Sequence, residues 1–295
     1  MVAAHQAYGS ASASILFVVQ PRERNVFDQR RLEYELVEKH GIHVVRQTFD
    51  ELRNNASVSS DGLLTVKVLG RPQPVEISVV YYRAGYAPTD YPTPQQYHVR
   101  FEIERSRAIK CPSIPMQLAG AKKVQQVLAD PGVLESFLQD PQKGAVFINE
   151  ELTKLRDSWV GMWGLDEADG VTRARDRHSQ LVLKPQREGG GNNVYKSSIP
   201  AFLDTLPDKE REAWIAMELI TPPDGSKNWL LKAGEDQAAL KDVVSELGIF
   251  GWAVFGDDTP IQEDTAGWLV RTKGKDSDEG GVAVGFSVLD SIVLV

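Results

Sequence analysis

The stretch Leu181–Asn193 reads LVLKPQREGGGNN: an apolar run ending in Lys184, then Arg187 and Glu188, three consecutive glycines (Gly189, Gly190, Gly191) and the pair Asn192 and Asn193. Glycines in a row lose much chain entropy on ordering, so they suit a backbone that must approach a ligand closely. Exposed backbone N–H groups flanked by Lys184 and Arg187 suit nucleotide phosphates, and Glu188 suits an accompanying Mg²⁺. A flexible hairpin with a solvated charge cluster fits the same residues. A second stretch, Leu269–Ala283 (LVRTKGKDSDEGGVA), repeats the layout: a strand end carrying Arg271 and Lys273, then a charged loop with Gly280 and Gly281. Alone, it fits a surface turn equally well.

Two further clusters lie nearer the N-terminus. PRERNVFDQR (Pro21–Arg30) follows an apolar run; Asn25 suits a helix N-cap with Asp28 at the capping-box position, while Arg24, Asn25 and Gln29 would stand at the carboxyl end of a strand. YYRAGY (Tyr81–Tyr86) ends another strand in an arginine and a glycine turn, and arginine grips a carboxylate through two parallel hydrogen bonds. Glu218 and Glu246 fall in apolar, strand-like runs, WIAMELI and VSELGIFGWAVF. A buried carboxylate needs a cation, a metal or hydrogen-bond donors, so Glu246 is a candidate partner for a ribose hydroxyl or a cation, unless an edge position leaves it solvated. Cys111, before Pro112, reads as a packed thiol, and the tryptophans as core and interface.

Other chemistries have no foothold. GxSxG, HExxH, GxxxxGK[ST] and GxGxxG are absent, and the 5 histidines are scattered without ligand spacing. A single cysteine excludes an intrachain disulfide and a multi-cysteine metal site. The net charge of −8 argues against a nucleic-acid binder. The first twenty residues carry no basic region, and their apolar run is too short for a signal peptide or membrane span. A reducing, cytoplasmic setting without a membrane partner is expected. Asn55-Ala56-Ser57 reads as a polar turn.

The elements that must position these residues follow from the pattern. With 295 residues, the chain has room for about two domains. SILFVV, HVVR, Leu63–Leu69 and VEISVVYY read as strands; the spacing of Val26, Phe27, Leu32, Leu36 and Val37 predicts a helix closed by His40-Gly41, and FDEL a short one. This alternation predicts an α/β, doubly wound, mostly parallel sheet, with ligands at the carboxyl ends of its strands. The segment from Thr93 to about Leu138 reads as helical, with AGAKKVQQVLA rich in good helix formers, and residues 140–178 as one or two amphipathic helices plus a loop. Strand signals dominate from Gln180. The change of texture near Ala108–Pro115 places a boundary there, dividing the chain into residues 1–112 and residues 113–295.

Taken together, KPQREGGGNN, SELGIFG, VRTK followed by GGVA, ERNVFDQR, YYRAGY and QLAGAKKVQQ resemble the eukaryotic type of glutathione synthetase, an ATP-grasp ligase family, in the same order over nearly the whole chain. The resemblance implies a substrate-binding sheet followed by an ATP-grasp-type α+β nucleotide-binding region. It also implies a homodimer, and the joining of γ-glutamylcysteine to glycine with ATP and Mg²⁺ through an acyl phosphate.

Carried over by motif, Lys122 and Lys184 would contact the ATP phosphates under the backbone of Gly189–Asn193, with Tyr195 nearby and Glu188 on Mg²⁺. Met217, Glu218, Leu219 and Ile220 would run beside the adenine, and Glu246 would contact the nucleotide. Lys273 and Glu279 would close the ATP site. Glu23, Arg24, Asn25, Gln29, Arg83, Ala84, Gly85 and Tyr86 would receive γ-glutamylcysteine, while Arg271, with Val282 and Ala283, would hold the glycine end. Lys184 and Arg271 are the expected catalytic pair.

The chain departs from the family in three ways. Ala84 replaces a common aspartate, and Leu219 a common lysine. A long N-terminal region, carrying a Glu-x-Asn metal-ligand motif and a substrate-contacting arginine, has no counterpart. Two alternatives follow: a silent or partner-dependent nucleotide-binding module served by a complementing chain, or a related ligase using another amine.

Overall fold

The computed structural model describes residues 1–23, 25–144, 146–187, 191–222, 225–231, 236–256, 259–278, 280–282 and 285–292. The chain opens with α1 (Val2–Tyr8), β1 (Ser14–Val18), α2 (Val26–His40), β2 (Val44–Gln47), α3 (Phe49–Asn55), β3 (Ala56–Val58), β4 (Leu64–Val66), β5 (Val75–Tyr82), α4 (Pro94–Arg105) and β6 (Ile109–Cys111). These strands form one sheet of order β2-β1-β5-β4-β3, with β6 also on β5. β2, β1, β5 and β6 are parallel, and β4 and β3 add an antiparallel edge.

The continuous apolar run of β1 has a physical cause. Its alternate residues feed two cores: Leu16 and Val18 pack with Phe49 and Leu52 of α3 and Val99 and Ile103 of α4, while Ile15 and Phe17 pack with Ala4 of α1 and Leu36 of α2. Helices thus cover both faces, which requires a strand apolar on both sides. Local signals set the ends. Thr48 and Glu51 form a capping box on α3, Thr93 and Pro94 start α4, and Gly41, at φ +65°, closes α2 by donating to the Leu36 and Val37 carbonyls.

Two expectations fail here. Phe27 is 85% exposed, and Gln29 takes an inward position on α2 beside Leu36. The reason is Arg46 on β2, whose guanidinium donates to the Gln29 amide oxygen at 2.7 Å and needs an acceptor in that interior. Asn55-Ala56-Ser57 is a helix end running directly into β3, because Ala56–Val58 pairs with β4.

The chain continues through α5 (Ile114–Ala119), α6 (Lys122–Ala129), α7 (Val133–Leu138), α8 (Asn149–Asp157), β7 (Met162–Gly164), α9 (Gly170–Asp176), β8 (Leu181–Pro185), β9 (Val194–Tyr195), α10 (Ile199–Thr205) and β10 (Trp214–Glu218). Antiparallel β7-β10-β8-β9 pack Leu181, Leu183 and Ala216 against Ile199 and Leu203 of α10. The helical reading of this stretch holds as two helices that meet within AGAKKVQQVLA at Gly120-Ala121, where Gly120 caps α5 and α6 begins afresh at Lys122. The stretch 140–178 also contains β7, which pairs with β10.

The last strands, β11 (Lys227–Leu230), β12 (Ala239–Gly256), β13 (Thr259–Gly274) and β14 (Val288–Asp290), form an antiparallel sheet dominated by the long β12–β13 pair. Ile249 and Trp268 pair across it and are both more than half exposed, as is Trp229, so the tryptophans are not uniformly core. Among the described residues no helix is long and apolar enough to cross a membrane.

Candidate functional site

The three sheets meet at a cleft of about 570 Å³. The first sheet contributes Tyr86, from the loop that follows β5; Gln117 and Leu118 come from α5, and Gly120, Ala121 and Lys122 from the α5–α6 junction. β8 and the residues after it bring Lys184, Pro185, Gln186, Arg187 and Asn193, and the third sheet brings Arg271 and Gly280. Lys122, Lys184, Arg187 and Arg271 are cations, and none of the described lining residues is a carboxylate. Such a wall concentrates positive potential where water is partly excluded and suits a polyanion.

Arg271 lies opposite Glu246 on the β12–β13 ladder, and their side chains form an ion pair. Of the partners open to Glu246 the structure provides a cation, and Glu246 is the more exposed member of that pair, on a solvated face of the interior strand β12. Lys122 Nζ donates to Gln125 Oε1 at 2.8 Å. Lys123, its neighbour, pairs instead with Asp166 at 2.9 Å, and its N–H donates to Gln186 Oε1 at 2.7 Å.

The substrate-side residues form a separate network beside the cleft. Arg83 donates to Asp28 Oδ2 at 2.8 Å and to the Tyr81 hydroxyl at 3.2 Å. Burial opposes its charge, yet Tyr81 and Asp28 together raise its pKa. Asn25 stands at the N-cap of α2 without a side-chain cap; its amide, oriented as its neighbours require, accepts from Arg83 at 3.1 Å and donates to Asp28 at 3.3 Å. Glu23 accepts from the Asn25 N–H at 2.9 Å. Ala84 is buried, Gly85 adopts φ +90°, and the Tyr86 pKa is raised by burial and by the charges of Asp90 and Glu23. Gln29 points into the interior and does not line the cleft.

The two glycine-rich regions approach each other. Lys196, just beyond β9, pairs with Asp278 of the second loop at 2.8 Å, and Lys273 Nζ donates to the Asp278 carbonyl at 3.1 Å. Asn193 donates to the Tyr195 hydroxyl at 3.0 Å. Glu218, on β10, accepts from Arg177 at 2.5 Å and from the Gly161 N–H at 3.0 Å; the Arg177 hydrogen bond is the main cause of its lowered pKa. Met217 is half-buried on the same strand, the Leu219 N–H donates to the Gln180 carbonyl at 2.9 Å, and Ile220 is exposed. None of Met217, Glu218, Leu219 and Ile220 lines the cleft. Val282 follows the cleft-lining Gly280 closely in the chain without lining the cleft itself. Arg24, Glu188, Gly189, Gly190, Glu279 and Ala283 lie outside the described residues.

Among the described residues no three His, Cys, Asp or Glu side chains gather in a metal-binding group. Magnesium prefers carboxylate oxygens, so the described residues do not by themselves fit a Mg²⁺ site. Gln117 and Gln186 line the cleft without having been singled out from the sequence. Neither carries a charge or an unusual neighbour, and only their place in QLAGAKKVQQ and KPQREGGGNN marked them.

The family model described as eukaryotic glutathione synthase, ATP binding domain, matches residues 1–294. The chain is 42% identical over 291 residues to a chloroplastic glutathione synthetase of Solanum lycopersicum, covering 98% of this chain and 50% of that protein. The chain belongs to the eukaryotic glutathione synthase family. The Homo sapiens glutathione synthetase is likewise 42% identical over 293 residues, covering 98% of this chain and 58% of that protein. The chain therefore spans about half the length of these curated glutathione synthetases. A glutathione synthetase-like effector from Globodera pallida, in its apo form, shares the fold at a TM-score of 0.71 and 22% identity, covering 100% of this chain and 59% of that chain. For an ATP-binding domain of the glutathione synthase family, the cations of the cleft have a ready physical rationale in the charge of a triphosphate.

Proposed function

We propose that this chain carries out the ATP-dependent joining of γ-glutamylcysteine to glycine. The observation that carries the reading is the cleft lined by Lys122, Lys184, Arg187 and Arg271 with no carboxylate among its described lining residues. In this reading, residues 1–112 receive the dipeptide and residues 113–295 the nucleotide, and the end of the first sheet at β6 supports the division. Lys122, Lys184 and Arg187 neutralise the triphosphate, which lowers the charge repulsion met by an attacking carboxylate. A cysteinyl carboxylate oxygen attacks the γ-phosphorus, the bond to the β-γ bridging oxygen breaks, and ADP leaves. Glycine's amine then attacks the acyl carbon, and phosphate departs as the peptide bond forms.

Arg271, the second expected catalytic residue, stands at the cleft wall where it can receive the glycine carboxylate in exchange for Glu246. Tyr86 faces the dipeptide. The Lys196–Asp278 pair, joining the two glycine-rich regions, would help keep water from the acyl phosphate. The test is ADP release with ATP, γ-glutamylcysteine and glycine, and its loss in Lys184→Ala. Release unchanged in that variant removes the reading. Replacing glycine by other amino acids measures how strictly the acceptor is chosen.

A second reading is a nucleotide-binding module completed by another chain. It is favoured by the lack of a carboxylate cluster among the described residues. A relative from Schizosaccharomyces pombe, 40% identical over 286 residues, is named a glutathione synthetase large chain. Calorimetry showing ATP binding without turnover, with turnover restored by a co-purifying chain, distinguishes it; the native mass of the purified protein reports a homodimer. The single cysteine fits a reducing, cytoplasmic setting.

A further inference from the structure

Gln20 follows β1, at the carboxyl end of a central parallel strand, and it carries neither a charge nor a recognisable motif. Its amide nitrogen donates to Asp90 Oδ1 at 3.0 Å and to the Tyr86 hydroxyl oxygen at 3.2 Å. Asp90 is itself fixed: its other oxygen accepts the backbone N–H groups of Gly85 at 2.9 Å and of Tyr86 and Ala87 at 3.3 Å. The Gly85 carbonyl in turn accepts from the Tyr91 hydroxyl at 3.0 Å and from Gln117 Nε2 at 2.8 Å, which ties this loop to α5 and the cleft wall.

The direction of each hydrogen bond in this series is determined. The Asp90 carboxyl already accepts three backbone N–H groups, and as their acceptor it takes the nitrogen of Gln20, not its oxygen. The second hydrogen of that nitrogen then occupies a lone pair of the Tyr86 oxygen. The Tyr86 hydroxyl proton is thereby left for another acceptor, and Tyr86 lines the cleft.

We propose that Gln20, oriented by Asp90, is a positioning residue that sets Tyr86 as a hydrogen-bond donor toward a carboxylate or carbonyl oxygen of the ligand in the cleft. The inference rests on the reading of that ligand as a carboxylate-bearing peptide. Replacing Gln20 by glutamate removes both N–H donors and sets a carboxylate that Asp90 repels, so nothing then directs the Tyr86 proton toward the ligand. Replacing it by methionine leaves the hydroxyl unrestrained.

The experiment measures γ-glutamylcysteine affinity by calorimetry in the presence of a non-hydrolysable ATP analogue, for Gln20→Glu, Tyr86→Phe and the double variant. Each single variant should weaken the dipeptide about tenfold, the size of one hydrogen bond to a charged group. The double variant should be no weaker than either, and affinity for the ATP analogue alone should not change. Additive losses, or equal losses for both ligands, overturn the relay in favour of a general structural role.

A second readout needs no substrate. The groups facing Tyr86 are Asp90, Glu23, Arg83 and Gln20, and the Gln20 hydrogen bond favours its ionised form. In Gln20→Met, Tyr86 should therefore titrate at higher pH than in the unmodified protein, followed by carbon-labelled tyrosine NMR. An unshifted titration also overturns the relay. If the unmodified protein fails to bind the dipeptide while the Tyr86 titration shifts as expected, the substrate assignment is lost and the positioning of Tyr86 stands.

Discussion

Replacing Gly85 by alanine tests the packing of the loop that carries Tyr86. Gly85 adopts φ +90°, and a Cβ there would stand 2.7 Å from the Tyr91 hydroxyl oxygen and 3.0 Å from Phe49 Cζ. The left-handed backbone costs a non-glycine residue about 1 kcal/mol. Both neighbours must then move. Phe49 belongs to the core beneath the sheet, where overpacking costs ~1–3 kcal/mol. Tyr91 would give up its hydrogen bond to the Gly85 carbonyl, a further ~1 kcal/mol.

Alanine also stiffens the unfolded chain, which returns roughly 0.5–1 kcal/mol. The net expectation is a loss of about 2–4 kcal/mol. Gly41→Ala is the control, because Gly41 has φ +65° but nothing within 4 Å of its added Cβ; it should cost only the backbone share. Urea unfolding of both variants, followed by circular dichroism, separates the steric contribution as the difference in midpoint. A Gly85→Ala variant as stable as Gly41→Ala would refute the packing argument.

Three other outcomes are expected. Lys184→Met should weaken ATP binding about tenfold, by calorimetry, and make the remaining affinity less dependent on salt. Glu135 bonds Arg156 at 2.7 Å, and that hydrogen bond is the main cause of a pKa lowered to about 2. A depressed carboxylate contributes stability above its unfolded value, near ~4.3, that is lost as pH falls toward about 2; Glu135→Gln should therefore flatten the acid side of a stability–pH curve in that window, and an unchanged slope would contradict the assignment. Lys196→Met should break the tie to Asp278, and the second glycine-rich loop should then be cut faster by a protease in limited proteolysis.

Where sequence and structure agree, the reason is local. SILFVV is apolar at every position after its first serine because helices cover both faces of the strand it forms, and Gly41 ends a helix because the left-handed cap needs no Cβ. Where they differ, or where the sequence leaves a choice, the deciding contact is distant. Gln29 is inward because of Arg46, and Glu246 is outward because its sheet face meets solvent and Arg271. β7 was hidden by being three residues long, and the break at Gly120-Ala121 by good helix formers on either side. The cleft itself was legible only as separate cationic stretches. That Lys184, Arg271 and Tyr86 face one space depends on three sheets meeting, and Gln20 and Gln117 became visible only through their partners.

The acyl-phosphate route makes a direct demand on atoms. γ-Glutamylcysteine carrying heavy oxygen in its cysteinyl carboxylate, turned over with ATP and glycine, should pass one labelled oxygen to the released phosphate, and Lys184→Ala should abolish the transfer. Phosphate released without the label would contradict phosphorylation of that carboxylate in this cleft.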